Sequence, residues 1–115
     1  GPVVMLNLLI FREVADYSSS PDLAPEEPIT GRQAYETYSR HTLPFLAAEG
    51  GEVIFTGEGG HFLIGPDDEQ WDRVMLVRYP SVEAFMAMTT NRAYLAGLGH
   101  RVAALADSRL LPIEG

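Results

Sequence analysis

The residues able to do chemistry in this 115-residue chain come from a restricted set: three histidines, eight arginines, and no cysteine or lysine. Imidazole titrates near neutral pH, so His41 and His61 are the candidate catalytic proton carriers. His41 falls on the apolar edge of a predicted helix, between Tyr38 and Phe45, where a hydrogen-bonded boundary residue is the plainer alternative. His61 follows Gly59-Gly60 at a predicted strand end, where a side chain can reach a cavity mouth. His100, beside Arg101 on a helix, is read as solvated. The three histidines form no HxH or HxxxH pair, so a metal site would need ligands gathered from distant elements. Asp67-Asp68-Glu69 lacks the spacing and the glycine of a calcium loop. Neither a metal nor a cofactor is expected.

The absent residue types exclude whole reaction classes. Without cysteine there are no disulfides, thiolate nucleophiles or thiolate metal sites. Without lysine there is no Schiff base, no amine base and no phosphate-binding P-loop. No serine stands in a GxSxG elbow. Arginine stays protonated and acts as an anion clamp. Arg78, at the end of a predicted strand, can hold a carboxylate or enolate oxygen; an ion pair with Glu52 or with a partner's carboxylate is the alternative. Arg101 lies seven residues after Tyr94 on one face of a helical segment, where it can reach Asp107 or a ligand; a structural ion pair is the favoured reading.

Composition bounds the rest. Apolar residues make up 46% of the chain and charged residues 21%, as in ordinary globular proteins. A chain of this size buries roughly two-thirds of its unfolded surface, so residues 1–115 read as one domain. The net charge of −8 repels phosphate backbones and no arginine stripe offsets it, which argues against a nucleic-acid partner. The longest apolar run, Val3–Phe11, is about half a membrane span, so no membrane partner is expected. No secretory leader is evident, and a cytoplasmic location is the expectation.

The elements that must position these residues follow from periodicity and punctuation. Val3–Phe11 is apolar on both faces, as in a central strand. Its uniformly aliphatic even positions, Val4, Leu6, Leu8 and Ile10, are assigned to a helix-covered core; the odd set, Met5, Asn7, Leu9 and Phe11, is assigned to the second face. The stretch from 12 to 29 holds three prolines, Ser18–Ser20 and five acidic residues, and is expected to lack a packed element: a lid or a solvated excursion. Thr30 caps a helix running to Glu49, with a stripe of Ala34, Tyr35, Tyr38, Thr42, Phe45 and Leu46 and a kink or break expected before Pro44. Gly50-Gly51 ends it. A strand at Glu52–Thr56 is followed by a glycine bulge or turn at Gly57–Gly60, and His61–Ile64 is a continuation of it or a short extra strand. Asp72–Tyr79 is the next strand, stopped by Pro80. Ser81 caps a second helix, a helical segment at about Asn91–Ala106 follows, and Ser108–Ile113 is the last strand. The order β-α-β-β-α-β predicts an α+β, ferredoxin-like, four-stranded antiparallel sheet with helices on one face.

Helices can cover only one side of such a sheet. The other side, read as Met5, Leu9, Phe11, Ile54, Val74 and Leu76, is too oily for solvent, and two-fold pairing through sheet faces shields it economically. Asn7, Thr56 and Arg78 are placed on that same side, as the few polar groups of a ligand cavity between the paired sheets.

Trp71, Val74, Val77, Arg78, Tyr79, Pro80 and Ser81, followed by Phe85, Tyr94, Arg101 and Asp107, form a pattern that resembles the DUF1330 family of domains of unknown function. Tyr38, Gly50-Gly51 and Gly57–Gly60 match the first half of that family. The resemblance covers about Ala34 to Gly115 plus the first strand; the stretch from 12 to 29 departs from it. It implies the dimeric α/β-barrel superfamily, whose members include cofactor-independent monooxygenases, haem-degrading enzymes, lactone isomerases and ligand-sensing domains. Under this reading Asn7, Thr56, Arg78, Tyr38, Tyr94 and Arg101 are substrate-binding, and His41 or His61 moves a proton. The function expected is a homodimer that binds a small apolar or acidic organic molecule, with cofactor-free isomerase or monooxygenase chemistry in view. The alternatives are haem binding through His41 or His61, and a non-catalytic dimer with its interior packed shut.

Overall fold

The computed structural model describes residues 1–115. Four strands, β1 (Val3–Phe11), β2 (Glu52–His61), β3 (Gln70–Tyr79) and β4 (Leu105–Glu114), form one antiparallel sheet in the order β2-β3-β1-β4. Helices α1 (Gly31–Ala48), α2 (Val82–Thr89), α3 (Arg92–Leu95) and α4 (Leu98–Ala104) pack on one side of it. This is the ferredoxin-like α+β architecture that the order of elements predicts.

The helix boundaries have local causes. The Thr30 hydroxyl accepts from the Gln33 backbone N–H at 3.0 Å, while the Thr30 N–H donates to the Gln33 side chain at 2.9 Å, closing a capping box. Gly50, at φ +74°, turns the chain out of α1 in a conformation that a Cβ disfavours. Pro44 neither breaks nor ends α1. It deprives the Arg40 carbonyl of its helical donor, but both residues are exposed and water can take the vacant position. Ser81 caps α2 by accepting from the Ala84 N–H at 3.0 Å. The segment from Asn91 to Ala106 divides: α3 and α4 meet at Gly97, and β4 begins at Leu105 rather than Ser108. β2 is one strand from Glu52 to His61, and β3 starts two residues earlier than predicted.

The main difference concerns which face of β1 meets the helices. The odd residues Val3, Met5, Leu9 and Phe11 are buried in the core with Ala34, Tyr35, Tyr38, Leu46, Val77, Tyr79, Met88, Tyr94, Ala104 and Leu105. The even residues Val4, Leu6, Leu8 and Ile10 lie on the uncovered side, paired across the sheet with Arg78, Leu76 and Val74 of β3 and with Ile113, Leu111, Arg109 and Asp107 of β4. Val74 and Leu76 are uncovered as expected, whereas Met5, Leu9 and Phe11 are not. β2 changes parity part-way: Val53 pairs with Val77 and Phe55 with Leu76, so Ile54 is the extra residue of a bulge and Phe55 joins the open face.

The stretch from 12 to 29 is neither a lid nor a free excursion. Its backbone is fastened to the end of α4 by Arg12 N–H to Ala104 O (2.8 Å) and Asp16 N–H to Ala103 O (2.9 Å), and to itself by Ala15 N–H to Ile29 O (2.9 Å). It contains a 3-10 turn at Pro21–Leu23, and Ala15, Tyr17 and Ile29 pack against the core. Gly99 permits this approach, because a Cβ there would stand within 2.8 Å of Ser20 and Leu23 atoms.

Candidate functional site

A cavity of about 590 Å³ lies between the helix layer and the sheet of this subunit. Its floor is the helix-covered face of the sheet, with Met5 and Asn7 from β1, Arg73, Met75, Val77 and Tyr79 from β3, Val53 and Thr56 from β2, and Ser108 and Leu110 from β4. α1 supplies Tyr35, Tyr38, Thr42 and Leu46 at helical spacing, so one stripe of that helix forms a continuous wall. Phe85 and Met88 of α2, Tyr94 of α3, and Leu98 and Arg101 of α4 close the remaining side. Most of the lining is apolar, with a few polar groups among it, which is the usual make-up of a small-molecule site.

The polar groups are not evenly distributed. The Tyr38 and Tyr94 hydroxyls, both on buried residues, share a hydrogen bond of 2.8 Å. Burial pushes the Tyr35 hydroxyl up to about 12, the neighbouring Tyr38 adding to the rise while Arg101 and Arg73 pull against it. Burial likewise raises Tyr79 and Tyr94, the latter reinforced by its bond with Tyr38. These phenols stay protonated at neutral pH and can donate to an anion without competing with it for charge.

The two cavity arginines differ in one respect. Arg73 is held by Glu58 at 3.4 Å, and Glu58 is also bound by Arg32 of α1 at 2.8 Å. Both guanidiniums lie over the Phe11 ring, at 4.8 and 5.0 Å from its centroid. Arg101 is half-buried and belongs to none of the three ion pairs of the chain. The ion pair expected for it with Asp107 does not form, because Asp107 lies on β4 and binds Arg109 instead. A guanidinium in a mostly apolar wall with no carboxylate in ion-pair contact is suited to hold an anion.

Five of the eight residues singled out from sequence, Asn7, Thr56, Tyr38, Tyr94 and Arg101, line this one cavity. Arg78 does not. It lies on the uncovered face, opposite Val4 and Glu52, so Asn7 and Thr56 are separated from it by the thickness of the sheet. His41 stands beside the cavity rather than in its wall: its Nε2 bonds the Ala93 carbonyl at 2.7 Å and its ring rests against Phe45. His61 is exposed at the end of β2, away from the lining. His100 is not simply solvated, since its Nδ1 meets the Tyr17 hydroxyl at 2.8 Å. No group of three or more His, Asp or Glu side chains could hold a metal ion, and no helix is long and apolar enough to cross a membrane.

Sequence reasoning did not assign Arg73, Tyr35 and Thr42 to the site. The signal for the last two was present in the α1 stripe: a helix face that serves only packing has little use for Tyr35, Tyr38 and Thr42 in succession.

The family model for DUF1330, a domain of unknown function, matches residues 26–115. The chain belongs to the DUF1330 family. A comparison with curated proteins finds no match. Among solved structures, this DUF1330 chain is similar to a protein of unknown function from Rhodopseudomonas palustris, a structural genomics target, at 41% identity and a TM-score of 0.88, covering 100% of this chain and 82% of that one. Two more distant likenesses concern the fold alone. SnoaB, a cofactor-independent oxygenase from Streptomyces nogalater, aligns at 13% identity and a TM-score of 0.59 over 99% of this chain and 92% of that one. A dimeric protein of unknown function with a ferredoxin-like fold, from Bacteroides fragilis, aligns at 11% identity and 0.57 over 99% and 96%.

Proposed function

We propose that this DUF1330 protein is a homodimer in which each subunit binds a small, mainly apolar organic acid in the cavity between its helices and its sheet. The observation that carries the reading is Arg101: a half-buried cation with no carboxylate partner, on the wall of a cavity lined mostly by hydrocarbon. A desolvated guanidinium gains most from an anion, and the bound molecule supplies it. This moves the ligand from between two subunits, where the sequence placed it, to the helix-covered side of each one.

The dimer reading rests on the opposite side of the sheet. Leu6, Leu8, Val74, Leu76, Phe55, Leu111 and Ile113 form an apolar surface that no helix of this chain covers, and Phe55, Leu111 and Ile113 are exposed. A second copy, related by two-fold symmetry, shields it with the same residues. The protein of the same fold from Bacteroides fragilis is itself dimeric.

Enolate stabilisation lies within reach of the same guanidinium and phenols, and cofactor-independent isomerase or oxygenase chemistry is the enzymatic form of this reading. A proton would then move through a group other than His41 or His61, since neither lines the cavity.

A thermal-shift panel of small aromatic and aliphatic acids tests the binding claim. A ligand at 100 times its Kd stabilises the folded form by about 2.7 kcal/mol, a shift of roughly 10 °C for a chain of this size. A panel in which no acid raises the midpoint would remove the claim. Light scattering across a dilution series tests the dimer, and a single subunit at all concentrations would remove that.

A further inference from the structure

We infer that the cavity selects an elongated, singly charged acid that carries a second oxygen, with its carboxylate at Arg101 and that oxygen at Thr42. This rests on the cavity as the binding site and goes further, to the charge, length and polarity of what fits there.

The single charge follows from the arginines. Arg73 reaches the cavity partly neutralised: Glu58 divides one negative charge between it and Arg32, and both guanidiniums are spread over the Phe11 ring. Of the two cavity arginines, only Arg101 has no ion-pair partner. Arg101 balances one carboxylate; a second would meet only Arg73, whose Glu58 repels it, in a wall that also carries Glu36. The phenols of Tyr35 and Tyr94 lie near Arg101; Tyr35 donates only a long 3.6 Å bond to the Met75 sulfur and Tyr94 can accept from Tyr38, so each can turn its proton to the remaining lone pairs.

The second oxygen follows from Thr42. Its Oγ1 is the one buried side-chain polar atom of the chain without a hydrogen-bond partner, the residue is only 9% exposed, and it lines the same cavity. A threonine inside a helix ordinarily returns its hydroxyl to the carbonyl four residues earlier. Thr37 does so with Gln33 at 3.2 Å; Thr42 does not. An orphaned buried hydroxyl is destabilising, and a ligand oxygen that meets it relieves that cost.

The length follows from α1. Tyr35, near Arg101, and Thr42 are seven residues apart on one stripe, which is about 10 Å along the helix axis. Between them lie Tyr38 and, across the cavity, Met75 and Val77, so the body joining the two polar ends contacts aromatic and aliphatic surface. A hydroxylated phenylpropenoic acid has about these proportions.

Calorimetric titration of the wild-type protein with para-hydroxycinnamate, its methyl ester, cinnamate and para-carboxycinnamate separates the charge requirement from the second oxygen at a fixed length. The expected result is that para-hydroxycinnamate binds at least about tenfold more tightly than its uncharged ester or the dicarboxylate, and several-fold more tightly than cinnamate. Arg101→Gln should erase the preference for acid over ester, and the near-isosteric Thr42→Val the preference for hydroxycinnamate over cinnamate. An ester that binds as well as the acid would overturn the charge requirement without any appeal to a variant, and would leave the cavity as an apolar site. Equal affinity for cinnamate and hydroxycinnamate would overturn the role of Thr42. Absence of binding by all four compounds would overturn both this inference and the cavity reading beneath it.

Discussion

Alanine replacements at two adjacent residues of β1 distinguish its faces by their energetic cost. Leu9 is fully enclosed, 0% exposed, between the sheet and the helix layer. Removing most of its side chain loses the transfer free energy of the deleted carbons and leaves a void that surrounding residues only partly fill, a cost of about 3 kcal/mol. Unfolding entropy near 2.1 cal/mol/K per residue means that each kcal/mol moves the midpoint of a chain this long by about 4 °C. Leu9→Ala should therefore lower it by about 12 °C. Leu8 lies on the uncovered face and is only half-buried within the subunit, so Leu8→Ala should cost the isolated subunit less than about 1 kcal/mol, or under about 4 °C. Its main effect should fall on self-association, which loses apolar contact at the face proposed for the second copy. Scanning calorimetry at a dilution where scattering reports one subunit gives the first pair of numbers, and sedimentation equilibrium gives the dimer Kd. A midpoint drop for Leu8→Ala as large as that for Leu9→Ala would refute the assignment of faces.

Other consequences can be checked more briefly. Tyr38→Phe and Tyr94→Phe each leave one buried hydroxyl without its 2.8 Å partner and should each cost about 1–2 kcal/mol in denaturant unfolding, while the double variant should cost less than the sum of the two. His100 is held below its ordinary value of 6.5, chiefly by burial and secondarily by His41. The unfolded chain then takes up its proton first, so stability is present above pH 6.5 and is lost as pH falls below it; urea midpoints should decline there in the wild type and decline less in His100→Gln. Arg101→Gln removes an unpaired half-buried cation and should leave the melting midpoint of the ligand-free protein unchanged or higher, as read by thermal shift. Haemin mixed with the protein should show no Soret shift, because the His41 Nε2 is engaged by the Ala93 carbonyl and His61 stands off the cavity; a shift lost in His41→Ala would favour the haem alternative.

What was legible in the sequence had a local cause. Thr30 and Gln33 form the capping box at the start of α1, Ser81 caps α2 directly after Pro80, and Gly50 supplies the positive φ that ends α1. The order of elements carried the fold. The facing of β1 had no such local cause: both of its parities are apolar, and the one polar residue, Asn7, suggested that the odd set faced outward. Asn7 instead lines a cavity on the inner side, where one amide is tolerated because open space and other polar groups surround it. The bulge at Ile54 then reversed the parity of β2, moving Phe55 outward and leaving Thr56 beside Met75 on the cavity side. The same facing puts Arg78 on the open side, opposite Val4, and Arg73 in the cavity. Period-two patterning fixes which residues share a face, but only the register with a neighbouring strand fixes which face that is. Composition also misled at residues 12–29, where prolines and serines suggested freedom; backbone bonds to Ala103 and Ala104 hold that segment against α4, and no composition reports them.

The methionines make the most direct measurement possible. Met5, Met75 and Met88 line the helix-side cavity, while Met86 projects outside it at 51% exposure, and the chain has no others. With the methionine methyl groups carbon-labelled, para-hydroxycinnamate added to saturation should shift the resonances of Met5, Met75 and Met88 and leave Met86 in place. Binding detected by calorimetry that moves only Met86, or none of the four, would contradict a ligand site between the helices and the sheet.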